Sequence, residues 1–424
     1  CIRDSHYPTG YGFPGFTLIG GRVLRLPFII PTSLRHEIAH CWWGNAVTVD
    51  ASQGNWCEGL ATYVADYAYR SEQGEKAARE YRRQLLRNYT SLVKPDEAIP
   101  LTRFHARRDR VTKVTGYDKS AMVFHMLHQR LGDGFWSALA ELYRERCFSA
   151  VSWRDLQTYF QHHTDTPLDD FFEQWLNRSD APRLRLEAVS YDRSASLLSG
   201  RIVQSEPAYD LSVVLHVGGG DEETTRRIQL NAATTAFSLP LPRAPAWIEA
   251  DPEAHLFRRL WPEEIPSTIN NLKAVGEVVV VTPHGANAQT RSLAALLPAA
   301  LGLKKQPADG TPAQAFLWVN SLDQIDLPAG IRIQGRRLSI NGEAVSPKTD
   351  AFFAVWRSAE STAMRALYWS PSLAEAQRVV RKIPHYGKYS YLGFEQATNT
   401  IKATWPVSAS PLRITWPETH GAFR

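Results

Sequence analysis

The stretch Pro31–Gly59 reads PTSLRHEIAHCWWGNAVTVDASQGNWCEG, and its centre, His36-Glu37-Ile38-Ala39-His40, is an H-E-x-x-H pattern. Residues four apart on a helix lie on one face, one turn above the other. His36 and His40 can therefore offer two imidazoles to one ion. Glu37 lies beside them, placed to take a proton from a water at that ion without ligating it, as the general base of a zinc peptidase does. A catalytic zinc keeps three protein ligands and one open position. Glu58, after seventeen intervening residues, supplies the third if Asn55 to Arg70 is a second helix packed on the first. Ala61, Tyr63, Val64, Tyr67 and Ala68 recur there at roughly helical spacing. For the first helix, Thr32 or Ser33 is expected as N-cap and Gly44 as the residue just past the end.

Three fixed positions arise by chance about once per hundred chains of this size, so an ordinary exposed helix competes with the zinc reading. Two flanking runs argue against it: Trp-Trp-Gly-Asn just past His40, and Trp-Cys-Glu-Gly-Leu-Ala around Glu58. With them the sequence resembles the M1 family of zinc aminopeptidases, the gluzincins. HEIAHCWWGNAVTVD is similar to that family's HE-x-x-H-x-W-x-G-N-x-V-T segment, and NWCEGLATY to its N-E-G-x-A-x-Y segment. Thr115–Leu127, TGYDKSAMVFHML, resembles the family's Y-E-K-G stretch. The resemblance spans about Gly10 to Asn177. It implies a thermolysin-like, mostly helical catalytic domain with Zn2+ on His36, His40 and Glu58. It also implies Glu37 as base and Tyr117 as donor to the oxyanion, a role worth about 3 kcal/mol.

Two departures from the family pattern stand out. The spacing from His40 to Glu58 is one residue shorter than the family's, a change confined to a loop. The family's G-x-M-E-N motif, whose Glu binds the substrate's free amino group, is missing. Gly10-Tyr11-Gly12-Phe13 stands in its place, and no Asp or Glu occurs from Ser5 to Arg35. Gly10, Tyr11, Gly12 and Phe13 are expected to form the edge that pairs with substrate backbone, without the amine anchor. The family's N-terminal β domain is not in this sequence. That implies further chain upstream of Cys1 and, with it, an extracytoplasmic (periplasmic or secreted) location.

The 424 residues predict two to four domains. A hydrophobic content of 44% fits globular domains with sizeable cores. The net charge of +5 is mild, and the densest basic run, RFHARRDR at Arg103–Arg110, reads as a solvated loop. Nucleic acid is therefore not an expected partner; a peptide or protein substrate is. No apolar run reaches the roughly 18 residues of a transmembrane helix. Four cysteines do not make a disulfide scaffold. Cys41 and Cys57 flank His40 and Glu58, so a contact between them is expected, either a disulfide or two buried thiols.

Phe16–Ile19 and Val23–Leu26 read as paired strands around Gly20-Gly21. A long amphipathic helix covers Glu75–Val93, a basic loop Pro100–Gly116, and a helix Tyr117–Arg130 carries His125 and His128 as solvated or core histidines. Three more helices follow, with Ser152 and Thr166 as caps. Short alternating strands begin at Pro182, and strand–helix alternation begins near Asn270. The expectation is a multidomain α+β chain: catalytic domain 1–181, small β-sandwich 182–265 and α/β domain 266–424 of unknown role. The reading is a zinc metallopeptidase. A non-hydrolytic peptide-binding or scaffold protein on the same fold is the alternative.

Overall fold

Small side chains decide where the two central helices meet. Ala39 on the first packs against Ala61 and Ala65 on the second, with Val64 alongside. Alanines at a seam let helix backbones approach closely. The structure is a computed structural model. It describes residues 2–5, 10–24, 29–219, 222–306, 313–328, 330–334, 337–345, 349, 351–357, 363–370, 376–407 and 409–416.

The first helix runs as a π-helical turn, Ile30–Leu34, into the α-helical Arg35–Ala39. It begins a turn earlier than expected. Pro31 occupies its first turn, no side chain caps it, and Thr32 and Ser33 lie within it. It closes at His40, so Gly44 is not its end residue but part of the following turn, its N–H bonded to Val47 O at 2.8 Å. The second helix comprises Cys57–Ala61, a π-helical stretch Thr62–Tyr67, and Ala68–Glu72. A Cβ on Gly59 would stand 1.9 Å from Ser120 Oγ. Only glycine lets this helix lie directly on a third one, built from Arg110–Lys113, a π-helical Val114–Lys119 and Ser120–Leu131. That third helix starts within the expected loop, capped by Asp109 and Thr112.

The amphipathic helix Glu75–Leu92 and the helices Gly134–Arg146, Trp153–Gln161 and Asp169–Asn177 complete the helical body. Ser152 caps as expected, in a capping box with Asp155. Thr166 does not cap: Leu168 holds the N-cap position with no side-chain bond.

At the N-terminal end, Phe16–Gly20 is the centre of a three-stranded sheet. It pairs in parallel with Ile2–Ser5 and antiparallel with Gly10–Phe13. With both edges of Phe16–Gly20 taken, the expected second strand has no partner, and Gly21–Leu24 is helical instead; residues 25–28 lie outside the described set.

Two sheets form the sandwich. One orders Thr234–Pro240, Leu197–Gln204 and Leu184–Asp192; the other orders Arg413–Thr415, Trp247–Ala250, Leu211–Gly219 and Glu222–Leu230. Val213, Leu215 and Val217 alternate inward, as a half-buried strand requires. The strand Arg413–Thr415 comes from beyond residue 408, so the last segment belongs here and not with the α/β domain. Contacts group the chain as residues 1–262 with 409–424 in one unit and 263–408 in another.

The second unit holds a seven-stranded mixed sheet. Lys304–Lys305, Glu277–Val281, Ala315–Val319 and Met364–Trp369 run parallel; Ala351–Arg357, Tyr391–Glu395 and Thr398–Ala403 continue it antiparallel. Ala288–Leu301 and Ala376–Lys382 pack on one face. The hairpin strands Ile331–Gln334 and Arg337–Ile340 cover the other. Asn287, in the loop Thr282–Asn287, caps the helix Ala288–Leu301 through a bond from Thr290 N at 2.8 Å. Tyr386 and Tyr389 pack on this unit's own core.

His125 is a core histidine. Its Nε2 lies 2.8 Å from His255 Nδ1, and Tyr63 Oη lies 3.4 Å from His125 and 2.7 Å from His128. Burial pushes His255 down to about 4; Arg82 adds to this and Arg227 contributes, while Glu75 and Glu253 oppose. The unfolded chain takes up that proton near pH 6.5, whereas the fold resists it until about 4. The neutral ring's contribution is therefore complete above about 6.5 and is lost as pH falls toward 4, by up to about 3 kcal/mol. Asp251, raised to about 6 by burial, acts in the opposite sense over part of the window. Replacement of His255 by Gln should flatten the fall of Tm between pH 7 and 4.5 relative to the parent; an unchanged slope would remove His255 from the account.

Candidate active site

Each histidine of the first helix is oriented by a bond on its far nitrogen. His36 Nδ1 donates to Asp66 Oδ2 at 2.9 Å, and His40 Nδ1 donates to the Trp43 carbonyl at 3.0 Å. Both rings therefore turn Nε2 toward the second helix. The two Nε2 atoms are 3.2 Å apart, and each lies 3.4 Å from Glu58 Oε2. Four-coordinate zinc at its usual bond lengths has ligand–ligand edges of about 3.3 Å. The triangle fits that ion, and the donor set of two imidazoles and a carboxylate is of the catalytic zinc type. Among the described residues this is the one group of three His, Cys, Asp or Glu with ligand atoms that close together.

Burial alone would depress both imidazoles. Hydrogen bonds from Asp66 and Glu58 for His36, and from Cys57 and Glu58 for His40, outweigh it and raise both to about 10. Burial likewise pushes Glu58 up, and its bonds to the two histidines more than reverse that, holding it well below the usual carboxylate range. Proton and divalent cation are thus alternatives at one spot.

The triangle opens on a cleft of about 750 Å³. Glu37 is raised, first by burial and also by Glu58, with His36, His40 and the Gly12 N–H pulling the other way. Tyr117 stacks on His36 with ring centroids 6.0 Å apart and is hydrogen-bonded to Glu58. It lies in the middle of a helix, in a π-helical stretch. Burial, then Glu58, pushes its phenol far above the ordinary tyrosine value, so the hydroxyl stays a donor.

Gly10–Phe13 edges the cleft. Strand alternation turns Gly10 and Gly12 toward the first helix and leaves Tyr11 and Phe13 exposed. A Cβ on Gly12 would lie 2.6 Å from the Glu37 carbonyl oxygen and 2.8 Å from His40 Cβ, so no larger residue fits. The Gly12 carbonyl accepts from Asn45 at 3.4 Å. The carboxylates lining the cleft are Glu37, Glu58 and Asp66, each already engaged. Cys41 and Cys57 are free thiols, so the disulfide is not formed. Cys57 turns into the cleft and bonds to His40 instead.

Asp66 escaped the sequence reading. Its signal was the eight-residue step from Glu58, two turns along the same helix, obscured by the π-helical stretch between them. His105, Arg107 and Lys113, from the basic run and just past it, also reach the cleft.

Two imidazoles and a carboxylate around one point, with a half-buried glutamate on a cleft, are the donor set of metal-dependent hydrolases. The sequence comparison narrows this: residues 30–175 match the Peptidase family M1 domain, so this stretch of the chain is similar to that family. It is 28% identical over 171 residues to Aminopeptidase M1-D of Oryza sativa subsp. japonica, covering 38% of this chain and 19% of that one. It is 27% identical over 190 residues to Aminopeptidase N of Haemophilus influenzae, covering 42% and 21%. The chain thus spans about a fifth of the length of these relatives. Aminopeptidase A of Legionella pneumophila, a crystal structure, superposes with a TM-score of 0.49 at 17% identity, over 70% of this chain and 35% of that one.

Loss of an outer carboxylate on a ligating histidine typically lowers metal affinity about 10–100-fold. Asp66→Asn should weaken zinc binding by that much in competition with a chromogenic chelator; unchanged affinity would make Asp66 a bystander.

Proposed function

We propose that this chain hydrolyses peptide bonds as a zinc-dependent metallopeptidase. The observation that carries this is the ligand triangle, with edges of 3.2 and 3.4 Å, opening on a cleft that also holds Glu37 and Tyr117. The M1 domain match supports it. Zinc held by His36, His40 and Glu58 would polarise the substrate carbonyl and make a water nucleophilic near neutral pH.

The protein's own groups do the rest. Glu37 takes the proton from the attacking water and returns it to the leaving amine; its burial raises its basicity toward the working range of a general base. Tyr117, protonated, donates to the oxyanion as charge develops. Asp66 and the Trp43 carbonyl keep the imidazole faces fixed through the cycle. Gly10 and Tyr11 offer strand edge to substrate backbone, while Gly12 and Phe13 hold that edge, Gly12 against the first helix. Recognition of a free amino terminus is not part of this reading, because the strand Gly10–Phe13 that edges the cleft carries no carboxylate. A non-hydrolytic scaffold would not need Glu37 half-buried beside the triangle.

Glu37→Gln should lower kcat by about 10²–10⁴-fold with zinc content unchanged, read on internally quenched peptides and by metal analysis. Tyr117→Phe should cost kcat about 10²–10³-fold with little change in KM. Full activity in Glu37→Gln would sink the mechanism.

A further inference from the structure

The cleft is lined by charges of both signs. The carboxylates Glu37, Glu58 and Asp66 stand with the histidines, each bonded to an imidazole or, for Glu37, to the Gly12 N–H. His105, Arg107 and Lys113 line the cleft too. Among the described residues neither Arg107 nor Lys113 is in an ion pair, though the Lys113 charge is felt at the buried Asp118.

The loop bearing Arg107 is tied down at both ends. Phe104 is fully buried, and its carbonyl accepts from Asn55 N at 2.6 Å. Asn55 Nδ2 also donates to the His105 carbonyl at 3.1 Å. Beyond Arg107, the Arg108 N–H donates to Thr112 Oγ1 at 2.9 Å, and Asp109 accepts from Thr112 N at 2.8 Å. Asn55 itself lies three residues before Glu58, so the loop is held by the start of the ligand helix. At Tyr117 the Arg107 charge opposes the upward push of burial and Glu58, which places the guanidinium on the phenol's side of the cleft.

We propose that Arg107 and Lys113 are specificity-determining residues that bind a carboxylate of the peptide near the cleaved bond. That carboxylate belongs either to an acidic side chain or to a free C-terminus. The inference rests on the metallopeptidase reading above and adds the substrate class: anionic peptides. Two cations outside any ion pair among the described residues, beside carboxylates already bonded to the histidines or to Gly12, make a site that attracts a carboxylate.

The zinc-loaded protein is given four quenched peptides of one sequence, with Glu or Gln at the variable position and a free or amidated C-terminus. An exposed charge-assisted contact corresponds to at most about fivefold in affinity. The carboxylate-bearing peptides should show kcat/KM up to about fivefold higher, mainly through KM, with the ratio shrinking as salt rises. Arg107→Gln and Lys113→Gln should reduce that ratio, and Arg107→Lys should keep most of it. An advantage confined to Glu peptides identifies the side chain as the source; one confined to free termini identifies the C-terminus. Equal rates for all four, or a ratio unmoved in both Gln variants, overturns the proposal. If no peptide is cut, the hydrolytic reading fails by itself. The same four peptides titrated calorimetrically onto Glu37→Gln then decide: tighter binding of the carboxylate forms upholds the charge-reading site, and equal affinities end it.

Discussion

Everything around the first two helices serves one electrostatic constraint: three lone-pair-bearing atoms must be held within about 3.4 Å of one another. Left to themselves such atoms repel and seek water. Burial raises the cost, because a carboxylate out of water needs a compensating charge. The fold meets the constraint by closing every other escape. Asp66 and the Trp43 carbonyl occupy the far ring nitrogens, so neither ring can flip without orphaning a bond. The alanine seam and Gly59 bring the helices too close for the side chains to swing away. What remains is a point that only protons or a cation can satisfy.

The three π-helical stretches belong to the same account. They are Ile30–Leu34, Thr62–Tyr67 and Val114–Lys119. One leads into His36, one holds Asp66 and one holds Tyr117. Each widens its helix by a residue per turn and re-aims the side chains after it, a device common at functional sites. The second and third are packed into the core, with Ala65, Val114 and Thr115 buried.

This explains what could be read from the sequence. His36, Glu37 and His40 share one helical face at fixed spacing, so four letters carry their geometry. Glu58 was legible through its neighbours, the Trp-Cys-Glu-Gly-Leu-Ala run and the helical spacing that follows it. Asp66 was not, because periodicity counting assumes 3.6 residues per turn and the intervening stretch departs from it. The start of the first helix was misplaced for the same reason: a π-helical turn at Ile30 needs no cap at Thr32 or Ser33. The strand Arg413–Thr415 was invisible for another reason. Three residues carry no period, and their partner Trp247–Ala250 lies in a distant part of the chain. Such pairing is written in tertiary contact alone.

Charge follows the same logic as geometry. Glu37, Glu58 and Asp66 already hold hydrogen bonds that fix them beside the triangle, and the edge strand beside it carries glycine rather than a further acid. Gly12 cannot be exchanged for such an acid, because its Cβ would collide with the Glu37 carbonyl and His40. The tight packing that seats the strand on the first helix therefore excludes an amine anchor at that position. Arg107 and Lys113 line the same cleft outside any ion pair among the described residues, with Asp118 near enough to Lys113 to feel its charge. An exposed contact there is worth on the order of 1 kcal/mol or less, too little for tight binding but enough to favour a carboxylate-bearing peptide over a neutral one.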